Sequence, residues 1–408
     1  MKKLLLVCGI CLGAFILKAQ ENNESADFNK YCVKMESAMQ AASKEKDYPK
    51  AIAVINEWLG RYAKLSPAAK QNSMGFTQSL YYNQACYTAL NGQKQEAIAW
   101  FKKAADEGFS NYANATIDSD LNSLRDDAVF KKVLTQIREK SDYGYILKKA
   151  GVYNSKAKSG LPAFTYQSAL APELVDFKNK FNLDSVSGNG DEISKIKNLL
   201  YWAHNIVGHD GSSNNPPSRN ALDIIAVCKK DDRGVNCRMM ATILKDAYQA
   251  EGFKARLVTC MPKDTADFDC HVITVVWSKT LNKWVWMDPT FNAYVNDDQG
   301  NLLNIEEVRE RLIAGKPLVL NEDANWNNKV KQTKEDYLGR YMSKNLYWLR
   351  CALKSDWDLE TRKVVKDVEY INLYPGGFST IQNQPKAVSK GVIEYATNNP
   401  EYFWQKPN

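Results

Sequence analysis

Only three histidines occur in the 408 residues of this chain, His204, His209 and His271. Any chemistry that passes a proton through an imidazole near neutral pH must use one of them. Cys237 sits in Arg233-Gly234-Val235-Asn236-Cys237, where a glycine-bearing loop delivers a cysteine to the first turn of a helix. The inner face of that helix is expected to be Met240, Ile243, Leu244 and Ala247, which recur at helical spacing. A helix N-terminus favours the thiolate, and the thiolate is the nucleophile.

His271 opens one strand-like run and Asp288 closes the next, just before Pro289-Thr290. A hairpin with Trp277 opposite Asn282 and a loop of Ser278 to Leu281 sets Val275 against Trp284, Ile273 against Trp286, and His271 against Asp288. Opposed residues on one face lie ~5 Å apart at Cβ, so imidazole and carboxylate become neighbours. The carboxylate would then orient the ring and stabilise an imidazolium paired with the Cys237 thiolate.

These residues carry a resemblance. RGVNCRMMATILKDAYQAEGFKARLVT resembles the G-x-C helix and following strand of transglutaminase-like domains, which share the papain-type core. HVITVVWSKTLNKWVWMDPTFN resembles their histidine strand, aromatic hairpin and D-P-T ending. The resemblance spans about Ile193 to Asn296, with three motifs in order. It implies Cys237 as nucleophile, His271 as general base and acid, and Asp288 as orienting carboxylate. The family completes its oxyanion site with the nucleophile's backbone N–H and an upstream donor. Aligning HDGSSNNPPSRNALDII with the segment before the family's cysteine puts His209 nearest that place.

Each residue has a plainer reading. Cys237 alone could be a buried thiol or half of a disulfide, His271 a hydrogen-bonded strand histidine, and Asp288 a turn residue before proline. His204 lies within an expected helix and reads as structural. Cys270, beside His271, points to the opposite strand face. Trp277, Trp284 and Trp286 read as core or cleft wall, and Gly376-Gly377 as a turn. A zinc site among Cys228, Cys237, Cys260, Cys270 and His271 lacks the paired C-x-x-C spacing such sites use, so no metal or other cofactor is expected.

The rest of the chain must position these groups. Lys2 and Lys3 precede an apolar run, Leu4 to Leu17, which is the layout of a signal peptide over 1–20, with cleavage near Ala19. The run is shorter than the ~20 residues needed to span a bilayer, so no stable membrane insertion is expected after cleavage. Residues 23–149 have helical periodicity. Within them Tyr81, Ala85, Gly92, Ala97, Phe101 and Ala104 resemble a tetratricopeptide-like unit, with a degenerate earlier copy around Ala51, Ile55 and Trp58. Gly151, Gly160, Pro162 and Pro172 mark a linker over 150–172. A catalytic domain over 173–320 follows, with helices before strands. An extension over 321–408, in which no motif carries chemistry, completes or flanks its sheet. The fold class is therefore α+β: an all-α, helical-repeat-like region followed by a transglutaminase-like domain with an antiparallel sheet.

The formal charge of +7 falls to +4 without the leader's Lys2, Lys3 and Lys18, and no basic cluster remains. Nucleic-acid binding gains no support. Nine cysteines less Cys8 and Cys11 leave seven, an odd number, so at least one thiol stays unpaired within the mature chain. The expectation is an exported cysteine enzyme, periplasmic or extracellular, transferring an acyl group through a Cys237 thioester. Its substrate would be a peptide or protein, and hydrolysis of a peptide or amide bond is favoured over protein cross-linking. A contrasting reading is a non-catalytic envelope scaffold that binds a protein partner through its helical region. An intact triad argues against it.

Overall fold

The computed structural model describes residues 19–71, 73, 76–156, 160–361, 367–378 and 385–408. Residues 1–18 of the expected leader, with Cys8 and Cys11, lie outside the described residues. Among the described residues no helix is long and apolar enough to cross a membrane. The chain divides into two compact units, Met1–Asp142 and Tyr143–Asn408.

The first unit is helical. The helices Phe76–Leu90 and Lys94–Asp106 share one apolar cluster. Ala85, Ala97, Phe101 and Ala104 are fully or almost fully buried, and such small residues let two helix axes approach closely. Gly92 makes the turn between them at φ +82°, a left-handed conformation that costs glycine nothing. A second cluster forms from Ala51, Ile55 and Trp58 against Met35 and Met39 of the long helix Ala19–Lys44.

The second unit is α+β. Its centre is the helix Cys237–Ala250, buried at every position from Met239 onward. Met240, Ile243, Leu244 and Ala247 pack against the helices Glu192–Ile206 and Ala221–Asp231 in one apolar cluster. The polar residues of this buried helix find partners: Asp246 Oδ2 accepts from the Ala221 N–H at 2.9 Å, and Thr242 donates to Arg238 O at 2.9 Å. Beside it lie β1 (Ala255–Met261), β2 (His271–Ser278) and β3 (Lys283–Met287), then β4 (Trp348–Ala352), β5 (Val368–Leu373), β6 (Lys386–Ser389) and β7 (Val392–Thr397). They form one seven-stranded sheet in the order β6-β7-β5-β4-β1-β2-β3. All pairings are antiparallel except β5 with β7.

The described residues of the stretch 150–172, expected as a linker, belong to the second unit, which begins at Tyr143. Backbone bonds tie it there: Gly377 N to Ala150 O at 2.8 Å, Gly376 N to Val152 O at 3.1 Å, and Asn154 N to Asn398 O at 2.8 Å. Those bonds satisfy backbone groups that a free linker would leave to water. Strands from 321–408 supply four of the seven positions in the sheet that β1, β2 and β3 begin.

Candidate active site

The β2–β3 register differs from the expected one by two residues. Val275 pairs with Trp286 and Trp277 with Trp284, and the ladder closes at Ser278 opposite Lys283. The four-residue loop is 279–282, because Asn282 takes the left-handed conformation at φ 50° and so belongs to the turn. Glu192 holds this end of the hairpin, accepting from the Ser278 hydroxyl at 2.7 Å and from the amides of Lys279 at 2.9 Å and Thr280 at 2.8 Å. A shift of two preserves the face on which every side chain lies, whereas a shift of one would reverse it. His271 is thus diagonal to Asp288, not opposite it. The diagonal still brings them together, with His271 Nε2 2.6 Å from Asp288 Oδ2.

Asp288 is fully buried and receives three donors. Tyr337 donates its hydroxyl to Oδ2 at 2.6 Å, His271 bonds the same oxygen, and the Thr290 N–H donates to Oδ1 at 2.9 Å. The last contact is the turn expected before Pro289, so the carboxylate serves both ends. Trp286 in turn donates to the Tyr337 hydroxyl at 3.1 Å. With Nε2 taken by Asp288, Nδ1 is the nitrogen left for Cys237, and the Tyr341 hydroxyl lies 3.3 Å from it.

Cys237 is the first residue of its helix, and the Asn236 side chain caps that helix by accepting from the Met239 N–H at 3.2 Å. Burial pushes the Cys237 thiol up. Hydrogen bonds from His209 and His271, the His271 charge and the Val272 backbone N–H outweigh it and bring the thiol down to about 6. Burial pushes His271 down, but the Asp288 charge and hydrogen bond, with smaller contributions from Cys237, raise it to about 10. Between those values the pair is thiolate and imidazolium. Burial moves Cys228, Cys270 and Cys351 the other way, Cys351 to about 11. All seven cysteines among the described residues are free of disulfides.

His209 is brought to the same sulfur. Its backbone pairs with Val235 in a parallel bridge, fixed by Val235 N to Gly208 O at 2.9 Å and Asp210 N to Val235 O at 2.8 Å. This contact explains Gly234. A Cβ there would stand 2.8 Å from Gly208 O and 3.0 Å from Asp210 N, on backbone that cannot yield without breaking the bridge. Gly234→Ala should therefore cost about 1–3 kcal/mol, read as a lowered midpoint in thermal unfolding. It should also slow alkylation of Cys237, because the strain falls between the two groups that meet at the sulfur.

His204 stays apart from the sulfur. It is buried, with Nδ1 2.8 Å from Pro289 O and Nε2 3.1 Å from Asn325 Oδ1. Trp284 and Trp286 are core residues. The groups absent from the sequence reading all come from the segment after Asn321, where no chemistry was expected. Tyr337 reaches Asp288 and Tyr341 reaches His271 from the π-helical stretch Glu335–Met342, a form often found at functional sites. Trp326 and Asn327 contact His209. The only sequence signal was the four-residue spacing of the two tyrosines, which any amphipathic helix shows.

No curated protein matches this sequence. Among solved structures, it is similar to a crystal structure from Cytophaga hutchinsonii described as a "Putative Cysteine Protease", at 19% identity and a TM-score of 0.24. That similarity covers 36% of this chain and 46% of the other, so the chain spans about half of that protein's length. Residues 179–289, the stretch that holds His209, Cys237, His271 and Asp288, match the sequence profile of the transglutaminase-like superfamily.

Proposed function

We propose that this protein is an exported cysteine hydrolase that cleaves peptide or amide bonds by acyl transfer through Cys237. One observation carries the reading: His271, one of two imidazoles that draw the Cys237 thiol down to about 6, is held on the buried Asp288 at 2.6 Å. The thiolate attacks the carbonyl carbon, and the carbonyl electrons move onto oxygen. That oxyanion takes hydrogen bonds from His209 and from the Cys237 N–H, which at a helix start has no acceptor within the helix. As the C–N bond breaks, the His271 imidazolium gives its Nδ1 proton to the leaving amine. The neutral ring then takes a proton from water as the water attacks the thioester. The acid leaves, and thiolate and imidazolium are restored. Transamidation would differ only in the last acceptor, an amine in place of water.

Iodoacetamide labelling with peptide mapping tests the nucleophile. Cys237 should react first, with a rate half-maximal at about pH 6 and level above it, because only the thiolate reacts. Equal labelling of all seven thiols, or a Cys237 that is unreactive across this range, overturns the reading. Incubation with a peptide substrate and a labelled amine then separates the acceptors. New peptide termini or released ammonia indicate hydrolysis, and incorporated amine indicates transamidation.

A further inference from the structure

The small hairpin of Asn325–Trp326 and Val330–Lys331 is far from the nucleophile in sequence yet touches His209 three times. The Trp326 indole N–H donates to His209 Nδ1 at 3.0 Å. Asn327 holds the backbone of the same residue from both sides: its Oδ1 accepts from the His209 N–H at 2.7 Å, and its Nδ2 donates to the His209 carbonyl at 2.9 Å. The turn makes this clamp possible. Asn327 and Asn328 are both left-handed, at φ 53° and 54°, and Lys329 N closes the turn onto Trp326 O at 2.9 Å. This is the primed hairpin geometry that asparagine tolerates.

An indole N–H can only donate. The nitrogen that receives it must offer a lone pair, so the proton of a neutral His209 has to sit on Nε2. Nδ1 being occupied, Nε2 is the atom left for the Cys237 sulfur. We propose that Trp326 is a positioning residue: its indole N–H fixes His209 as the Nε2–H tautomer and so keeps a hydrogen-bond donor aimed at the sulfur and at the oxyanion formed there. The proposal rests on the oxyanion role given to His209 above. Without Trp326, the imidazole could carry its proton on either nitrogen or turn over about its Cβ–Cγ bond. In each case an acceptor would face the oxyanion for part of the time, and an acceptor repels it.

The test uses the full chain labelled with 15N-histidine, whose three histidines can be resolved one by one, and p-nitrophenyl acetate as acyl donor. Long-range 1H–15N correlation should find the His209 proton on Nε2, with Nδ1 bare. In Trp326→Phe that signal should become a mixture of tautomers. The kcat should fall roughly tenfold, the lower range for loss of an orienting partner, with KM little changed. In a His209→Gln background, the amide supplies a donor that has no tautomer, so adding Trp326→Phe should cost nothing further. A proton on Nδ1 in the unsubstituted protein overturns the proposal. So does an equal loss from Trp326→Phe in both backgrounds, which marks a structural effect alone. If His209→Ala leaves turnover unchanged while Cys237→Ala abolishes it, the oxyanion role itself is what fails.

Discussion

Cys237→Ala should lower turnover of any amide or ester substrate by about four to six orders of magnitude, the scale on which loss of a nucleophile acts. The remnant is the part supplied by oxyanion donors and binding, which do not need the sulfur. The fold should survive, because alanine is a good residue for the first turn of a helix whose cap is Asn236 and whose packing begins at Met239. A second readout is the titration of His271. The group is raised to about 10 chiefly by Asp288 against the opposing effect of burial, with Cys237 contributing less. Removing the thiolate should lower that value somewhat but leave it above the ordinary histidine range. A Cys237→Ala protein that still turns over at the unsubstituted rate would sink the proposed mechanism, whatever becomes of His271.

Asp288→Asn is expected to have the next largest effect, a loss of about two to four orders of magnitude in kcat. The reason lies in the donors around the carboxylate. Thr290 N–H reaches Oδ1, and Tyr337 O–H and His271 Nε2 reach Oδ2. An amide placed there sets its own N–H groups against at least one of these donors, in either orientation. If the amide nitrogen meets the ring, Nε2 must give up its proton and the ring is held neutral with its proton on Nδ1, so the imidazolium is lost and Nδ1 has no lone pair to take a proton from water. If it meets Thr290, a buried N–H loses its acceptor, which costs ~1–3 kcal/mol.

The pH profile separates these roles. Amide turnover needs the thiolate and the imidazolium together, so it should rise at about pH 6 and fall at about pH 10. Alkylation needs only the thiolate and should show the rising limb alone. In Asp288→Asn the charge that holds His271 protonated is gone, so the falling limb should move well below 10. An alkaline limb unmoved by the substitution would mean that Asp288 does not set the state of the ring.

Much of this site follows from local sequence. Glycine, asparagine and cysteine before an amphipathic run specify a capped helix with a thiol at its start, because capping and periodicity act over a few residues. His271 and Asp288 open and close neighbouring strands of alternating aromatic and β-branched residues, and strand parity alone puts them on one face. Parity does not choose between registers that differ by two. That choice fell to the turn, where Asn282 accepts a left-handed backbone and Glu192, distant in sequence, binds the loop amides. The donors on Asp288 and His209 needed the tertiary structure as well. Tyr337, Tyr341, Trp326 and Asn327 lie on segments whose local pattern is unremarkable, and they acquire a role only where the chain folds back over the sheet. A hydrogen bond between residues more than a hundred positions apart, such as Trp326 to His209, leaves no periodicity in a sequence, because its geometry is set by packing and not by spacing.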